Sequence, residues 1–155
     1  MSNLPIKNIV IHCSASYPHQ NWGVREIDKM HRSRGFRKIG YHYVIKLDGN
    51  VEFGRSVEEI GAHVQGSNSH SIGICYIGGY NKGGEIVDTR TEEQKKSLIN
   101  VLEMLVQKHK GTLKSIKGHR DYSPDLDGDG IIERNEWMKG CPCFDVIPEY
   151  AYLLE

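Results

Sequence analysis

The sequence lacks a long apolar segment, an excess of charge of either sign, and any internal repeat. No apolar run approaches the roughly 20 residues that a membrane-spanning helix needs. The chain has 20 basic residues (lysine plus arginine) and 20 acidic residues (aspartate plus glutamate), so its formal net charge is zero, and its pI is near 7.1. A neutral chain is not expected to attract nucleic acid or an anionic membrane electrostatically. We therefore expect neither nucleic acid nor a membrane as a partner.

We also expect no secretion signal, because Met1 to Ile11 has no basic start followed by a long apolar stretch. We expect a protein that is cytoplasmic as synthesised. Its four cysteines are then expected to be thiols or metal ligands rather than disulfides. The length of 155 residues fits one hydrophobic core. We expect a single domain over 1–155, and a monomer.

Strand and helix patterns alternate along the chain. Short apolar runs rich in β-branched residues predict the strands, and apolar residues at helical spacing predict the helices. The predicted strands cover 6–12, 41–47, 51–53, 71–77 and 113–117, and the predicted helices cover about 23–34, 91–110 and 146–154. Asn21 is the predicted N-cap of the first helix, and Thr91 with Gln94 forms a capping box for the second. The alternation predicts an α/β fold with a central mixed β-sheet flanked by helices.

Four residues offer ligands for a transition metal. His12 ends the first predicted strand, His119 comes at the end of the last, and Cys141 and Cys143 follow shortly afterwards. Two imidazoles and a thiolate suit Zn²⁺, and three protein ligands leave a fourth position for water. The Cys-x-Cys spacing does not distinguish the two thiols. On spacing alone, a lone histidine is more often a surface or core residue than a ligand.

Six short motifs are spread over the chain from Ile9 to Asp145. They are His12-Cys13-Ser14-Ala15-Ser16, Gly40-Tyr41-His42-Tyr43, Gly61-Ala62-His63, Ser71-Ile72-Gly73-Ile74, Gly118-His119-Arg120-Asp121 and Cys141-Pro142. In this order the series resembles the type-2 family of zinc-dependent N-acetylmuramoyl-L-alanine amidases. That family includes lysozyme-type phage endolysins and the peptidoglycan recognition proteins. The resemblance implies an amidase/peptidoglycan-recognition-like fold, with Zn²⁺ as the cofactor and peptidoglycan as the partner.

The resemblance implies a metal site made of three of the candidate ligands. His12, His119 and Cys141 match the family's zinc ligands. Cys141 is matched rather than Cys143, because it directly precedes the proline.

Four further residues match positions around the family's metal. Tyr41 matches a tyrosine beside the metal-bound water, and Lys139 matches a catalytic lysine of the phage enzymes. His63 and Asn68 match positions that line the substrate cleft. Without the resemblance, Tyr41 would be read as a half-buried strand aromatic and Lys139 as a solvated surface lysine.

The implied reaction is hydrolysis of the amide between the lactyl group of N-acetylmuramic acid and the L-alanine of the stem peptide. We expect a phage- or prophage-type endolysin that acts on the cell wall after release, although a cytosolic recycling amidase would also lack a signal. Two other classes stay open. One is a non-catalytic peptidoglycan-binding module of the same fold, and the other is a calcium-binding interaction protein.

One segment departs from the resemblance, because the phage enzymes have a much shorter link between His119 and Cys141. Here the segment 125–136 fits the calcium-loop template D-x-[DN]-x-[DN]-G-x₅-E. The predicted Ca²⁺ ligands are Asp125, Asp127, Asp129, the backbone carbonyl of Ile131, and Glu136. The alternative is a solvated acidic turn that binds no ion.

Overall fold

The computed structural model describes residues 5–123 and 140–155, and five strands in them form one sheet. The strands are β1 (Asn8–Cys13), β2 (Tyr43–Ile45), β3 (Val51–Phe53), β4 (Ser71–Tyr76) and β5 (Ser115–Gly118). Their order across the sheet is β3-β2-β4-β1-β5. The neighbouring pairs β2–β4, β4–β1 and β1–β5 are parallel, and β3 is antiparallel to β2. The predicted α/β class with a central mixed sheet is confirmed.

In the part of the chain that the structure describes, three α-helices accompany the sheet: α1 (Val24–Ser33), α2 (Glu92–Lys108) and α3 (Val146–Tyr150). The predicted capping box of α2 is confirmed. The Thr91 hydroxyl oxygen accepts a hydrogen bond from the backbone N–H of Gln94 at 3.0 Å, and the Gln94 side chain accepts one from the N–H of Thr91 at 2.9 Å. The predicted C-terminal helix is divided into α3 and a 3₁₀ turn, Ala151–Leu154.

The predicted N-cap of α1 is wrong. Gly23, not Asn21, occupies the cap position. The Glu26 carboxylate accepts the Gly23 N–H at 2.7 Å, and the Glu52 carboxylate accepts the Val24 N–H at 2.8 Å. Because these carboxylates satisfy the first N–H groups of the helix, no capping side chain is needed at the cap residue itself.

Helices cover both faces of the sheet. Ile9 and Ile11 of β1 belong to one core cluster together with Leu98 and Leu102 of α2. Side chains alternate along a strand, so His12 points to the opposite face. That face carries a second cluster, which includes Ile27 of α1. Within the described residues, no helix is both long and apolar enough to cross a membrane.

Candidate metal centre

The three predicted metal ligands lie together at the carboxyl-terminal end of the parallel strands β1 and β5. His12 is near the end of β1, and His119 begins the 3₁₀ turn His119–Tyr122 directly after β5. Parallel strands place their carboxyl ends at the same edge, and Ile11 of β1 pairs with Gly118 of β5. The ligand atoms of His12, His119 and Cys141 all lie within 4.8 Å of one another.

The structure distinguishes the two neighbouring thiols. The Sγ atom of Cys141 joins the histidines and accepts a hydrogen bond from the backbone N–H of Cys13 at 3.0 Å. The Sγ atom of Cys143 instead lies 3.6 Å from Sγ of Cys13. The Cys141 sulfur also lies 3.8 Å from the backbone carbonyl oxygen of Cys13, so both backbone groups of Cys13 hold it beside His12. Cys141 is therefore the sulfur placed to act as a ligand.

A buried arginine holds the segment that follows Cys141, and sequence reasoning missed it. The Arg90 guanidinium carbon lies 3.4 Å from the centroid of the Phe144 ring. The same guanidinium donates to both carboxylate oxygens of Glu149, at 2.8 and 2.9 Å. A second contact holds the same segment, because the Tyr76 hydroxyl donates a hydrogen bond to the backbone carbonyl of Pro142. Nothing local in the sequence separates Arg90 from a surface arginine, because its partners Phe144 and Glu149 are more than 50 residues away along the chain.

Tyr41 lies beside the proposed ligands. The centroid of its ring is 4.9 Å from that of His12. Burial raises the pKa of Tyr41 well above its usual range, and the nearby cysteines act in the same direction. The phenol is therefore protonated near neutral pH and can donate a hydrogen bond, but it is a poor general base.

His63 and Asn68 are both engaged in internal hydrogen bonds. Nδ1 of His63 lies 2.9 Å from Nε2 of His12, and Nε2 of His63 lies 3.2 Å from the Ser71 hydroxyl. Burial lowers the pKa of His63 to about 3. The Asn68 side-chain oxygen accepts from the backbone N–H groups of His63 and Val64, each at 2.9 Å. That these two residues line the substrate cleft stays a prediction.

Two sets of predicted site residues lie outside the described residues. One is Lys139, and the other is the calcium-loop segment 125–136. Both stay predictions from sequence.

The donor set at the sheet edge fits zinc. Two imidazoles and one thiolate match the nitrogen and sulfur ligands that Zn²⁺ prefers. With three protein ligands, a fourth tetrahedral position is left for water or substrate, which is the arrangement of catalytic rather than structural zinc sites.

Comparison with known proteins decides the family. The family model described as N-acetylmuramoyl-L-alanine amidase matches residues 2–142. The chain belongs to this amidase family. The amidase is 38% identical over 138 residues to the endolysin of Enterobacteria phage T3, a match that covers 89% of this chain and 81% of the relative.

Solved structures agree with the family assignment. The N-acetylmuramoyl-L-alanine amidase LysC from Clostridium intestinale is 27% identical to this amidase, with a TM-score of 0.73 over 97% of this chain and 87% of LysC. The bumblebee peptidoglycan recognition protein SA has a TM-score of 0.72 at 21% identity, over 99% of this chain and 85% of that protein. The second likeness shows that the fold is shared.

Proposed function

We propose that this amidase is catalytic, and that it hydrolyses the bond between N-acetylmuramic acid and L-alanine in peptidoglycan with Zn²⁺ held by His12, His119 and Cys141. The supporting observation is that these three donor groups, from distant parts of the chain, lie within 4.8 Å of one another. A module that only binds peptidoglycan has no need for such a donor set. The phage T3 relative is named an endolysin, and we assign this protein the same role in wall degradation after release.

Each residue of the centre has a distinct part in the proposed reaction. When bound, zinc lowers the pKa of water from about 15.7 toward about 7 and polarises the substrate carbonyl. His12 and His119 would hold the ion through neutral imidazoles, and Cys141 through its sulfur, toward which the Cys13 N–H points at 3.0 Å. The neutral Tyr41 phenol donates a hydrogen bond to the oxygen on which negative charge develops. Lys139 supplies a cation for the same charge, a role that rests on the family resemblance.

The Tyr41→Phe variant tests the phenol. It should lower kcat by about 10²–10³-fold, the usual effect of removing one donor to a developing oxyanion. Zinc content should not change, because Tyr41 is not a ligand. Tyr43→Phe is the matched control, since Tyr43 is buried in β2 against Phe53 and should retain full activity. Wild-type kcat in Tyr41→Phe would remove Tyr41 from the reaction.

Digestion of purified sacculi, followed by mass spectrometry of the products, tests the proposed reaction itself. Amidase cleavage releases free stem peptides that begin with L-alanine and leaves glycan strands carrying lactyl carboxylates. If the protein binds sacculi but releases no peptide, the binding-module alternative is correct. Release of disaccharide fragments would instead mean cleavage of the glycan.

We also propose that the segment 125–136 binds Ca²⁺ and supports the site, since it leads directly to Lys139 and Cys141 in the sequence. Its support is the template match alone. A single unpaired loop should be weak, with a Kd of about 10⁻⁴–10⁻³ M. Asp129→Ala should lower calcium affinity and amidase activity together, measured by calorimetry and by peptide release. Full activity of the wild type in calcium-free buffer would contradict the supporting role.

A further inference from the structure

A chain of hydrogen bonds connects His12 to the backbone carbonyl of Ser67, in the loop that precedes β4. Nε2 of His12 lies 2.9 Å from Nδ1 of His63, and Nε2 of His63 lies 3.2 Å from Oγ of Ser71. Oγ of Ser71 lies 2.8 Å from the backbone carbonyl oxygen of Ser67. We call this the His12–His63–Ser71 relay.

The Ser67 carbonyl at the end of the relay determines which atom donates and which accepts in each of its hydrogen bonds. A carbonyl oxygen can only accept, so the single Ser71 hydroxyl proton is donated to Ser67. The Ser71 oxygen must then accept from N–H at Nε2 of His63. A neutral imidazole carries one proton, so Nδ1 of His63 is an acceptor and Nε2 of His12 is its donor.

The relay therefore determines which nitrogen of His12 can bind a metal. With its proton on Nε2, neutral His12 has its lone pair on Nδ1. A metal-binding histidine often donates its other ring N–H to a fixed acceptor, which sets the tautomer and the ring orientation. Here that acceptor is another histidine rather than a carboxylate.

The His63 ring is held in place by two glycines. A Cβ atom at Gly73 would lie 2.7 Å from Cγ of His63, and one at Gly61 would lie 2.7 Å from its Cδ2. Both distances are shorter than real contacts of a Cβ atom allow. The ring is also buried, with 9% of its residue surface exposed. The backbone is thus shaped to receive this ring in one position.

We propose that His63 is a positioning residue of the metal centre, which, through Ser71, holds His12 as the Nε2–H tautomer and presents Nδ1 to the metal. This inference rests on the proposed function for the identity of the centre. It gives His63 a role different from substrate contact, since both ring nitrogens already have partners inside the protein.

Zinc affinity and histidine tautomers test the proposal without relying on activity. In a long-range ¹H–¹⁵N spectrum of zinc-loaded protein, His12 and His63 should both carry their proton on Nε2. His63→Leu, which removes the acceptor, should weaken zinc binding by about 10–100-fold in competition with a chromogenic chelator. His63→Asn keeps an oxygen near the place of Nδ1 and should recover much of that affinity.

The catalytic constants separate positioning from substrate contact. Positioning predicts that His63→Leu lowers zinc affinity, with KM nearly unchanged once zinc is saturating. Ser71→Ala does not reach the metal, and it should weaken zinc binding by a smaller factor, up to about tenfold.

Two results would overturn the proposal. One is wild-type zinc affinity in both His63→Leu and Ser71→Ala with a raised KM in the former, and the other is a wild-type spectrum with the His12 proton on Nδ1. If the wild type binds zinc but cleaves no peptidoglycan, the proposed function fails, while the affinity and tautomer measurements still decide the role of His63.

Discussion

Replacing Cys141 with serine is expected to lower peptide release from sacculi by about 10³-fold or more, because a catalytic zinc site would lose its only sulfur ligand. The sulfur of Cys141 lies with His12 and His119 within 4.8 Å. A serine hydroxyl is a weaker ligand, since it is not ionised near neutral pH. Bound zinc, measured by mass spectrometry of metals, should fall together with activity.

Cys143→Ser is the matched control for this variant, with the same substitution two residues away in the same segment. The Cys143 sulfur lies against Cys13, 3.6 Å from its Sγ atom, and is not in the candidate metal group. Zinc content and activity should therefore stay close to those of the wild type. The reverse pattern, with Cys143→Ser inactive and Cys141→Ser active, would show that the ligand has been assigned to the wrong thiol.

Arg90→Ala is expected to lower the free energy of unfolding by about 3 kcal/mol, the lower end of what breaking a buried ion pair costs. The Arg90 side chain is only 2% exposed, while those of its partners Asp88 and Glu149 are 35% and 41% exposed. Those carboxylates can be solvated once the arginine is removed, so the full penalty for a buried unpaired charge does not apply. The substitution also removes the contact between the guanidinium and Phe144.

Arg32→Ala is the control for the Arg90 variant, because Arg32 forms an i,i+4 ion pair with Asp28 on the surface, where its side chain is 58% exposed. It should change stability by less than about 1 kcal/mol. Urea denaturation of both variants measures the difference. Equal stabilities of Arg90→Ala and Arg32→Ala would contradict the role assigned to the buried guanidinium.

The effect of Arg90→Ala should also depend on pH. The hydrogen bonds from Arg90 lower the pKa of Glu149, so that carboxylate stabilises the folded state above its unfolded pKa and loses this contribution as pH falls through its folded pKa. The difference between the wild type and Arg90→Ala should therefore be full above about pH 5 and shrink below about pH 4. A difference that is constant from pH 7 to pH 3 would mean that the Phe144 contact, rather than charge, accounts for the effect.

Much of the fold could be predicted because its signals are local. Apolar runs identified the strands, and the capping box of Thr91 and Gln94 marked the start of α2. The cap of α1 could not be predicted in this way. One of the two carboxylates that satisfy its first N–H groups belongs to Glu52 in strand β3, 28 residues further along the chain.

The candidate site, too, could be predicted only in part from the sequence. The resemblance selected His12, His119 and Cys141, and the parallel strands β1 and β5 account for the meeting of the two histidines. The spacing of Cys141 and Cys143 could not separate them, because the difference depends on Cys13, more than 100 residues earlier. Ser71 was part of a recognised motif, but its proposed role could not be predicted, since that role exists only through the ring of His63.

Metal-dependent hydrolysis at the His12–His119–Cys141 centre is tested most directly by titrating metal-free protein with zinc while following the release of stem peptides from sacculi. The expected result is no release without metal, and activity that rises with bound zinc until each chain holds one ion at this centre. Cys141→Ser should show neither the binding nor the activity. Undiminished peptide release by the metal-free protein, or stoichiometric zinc binding with no release, would contradict the proposed zinc-dependent reaction.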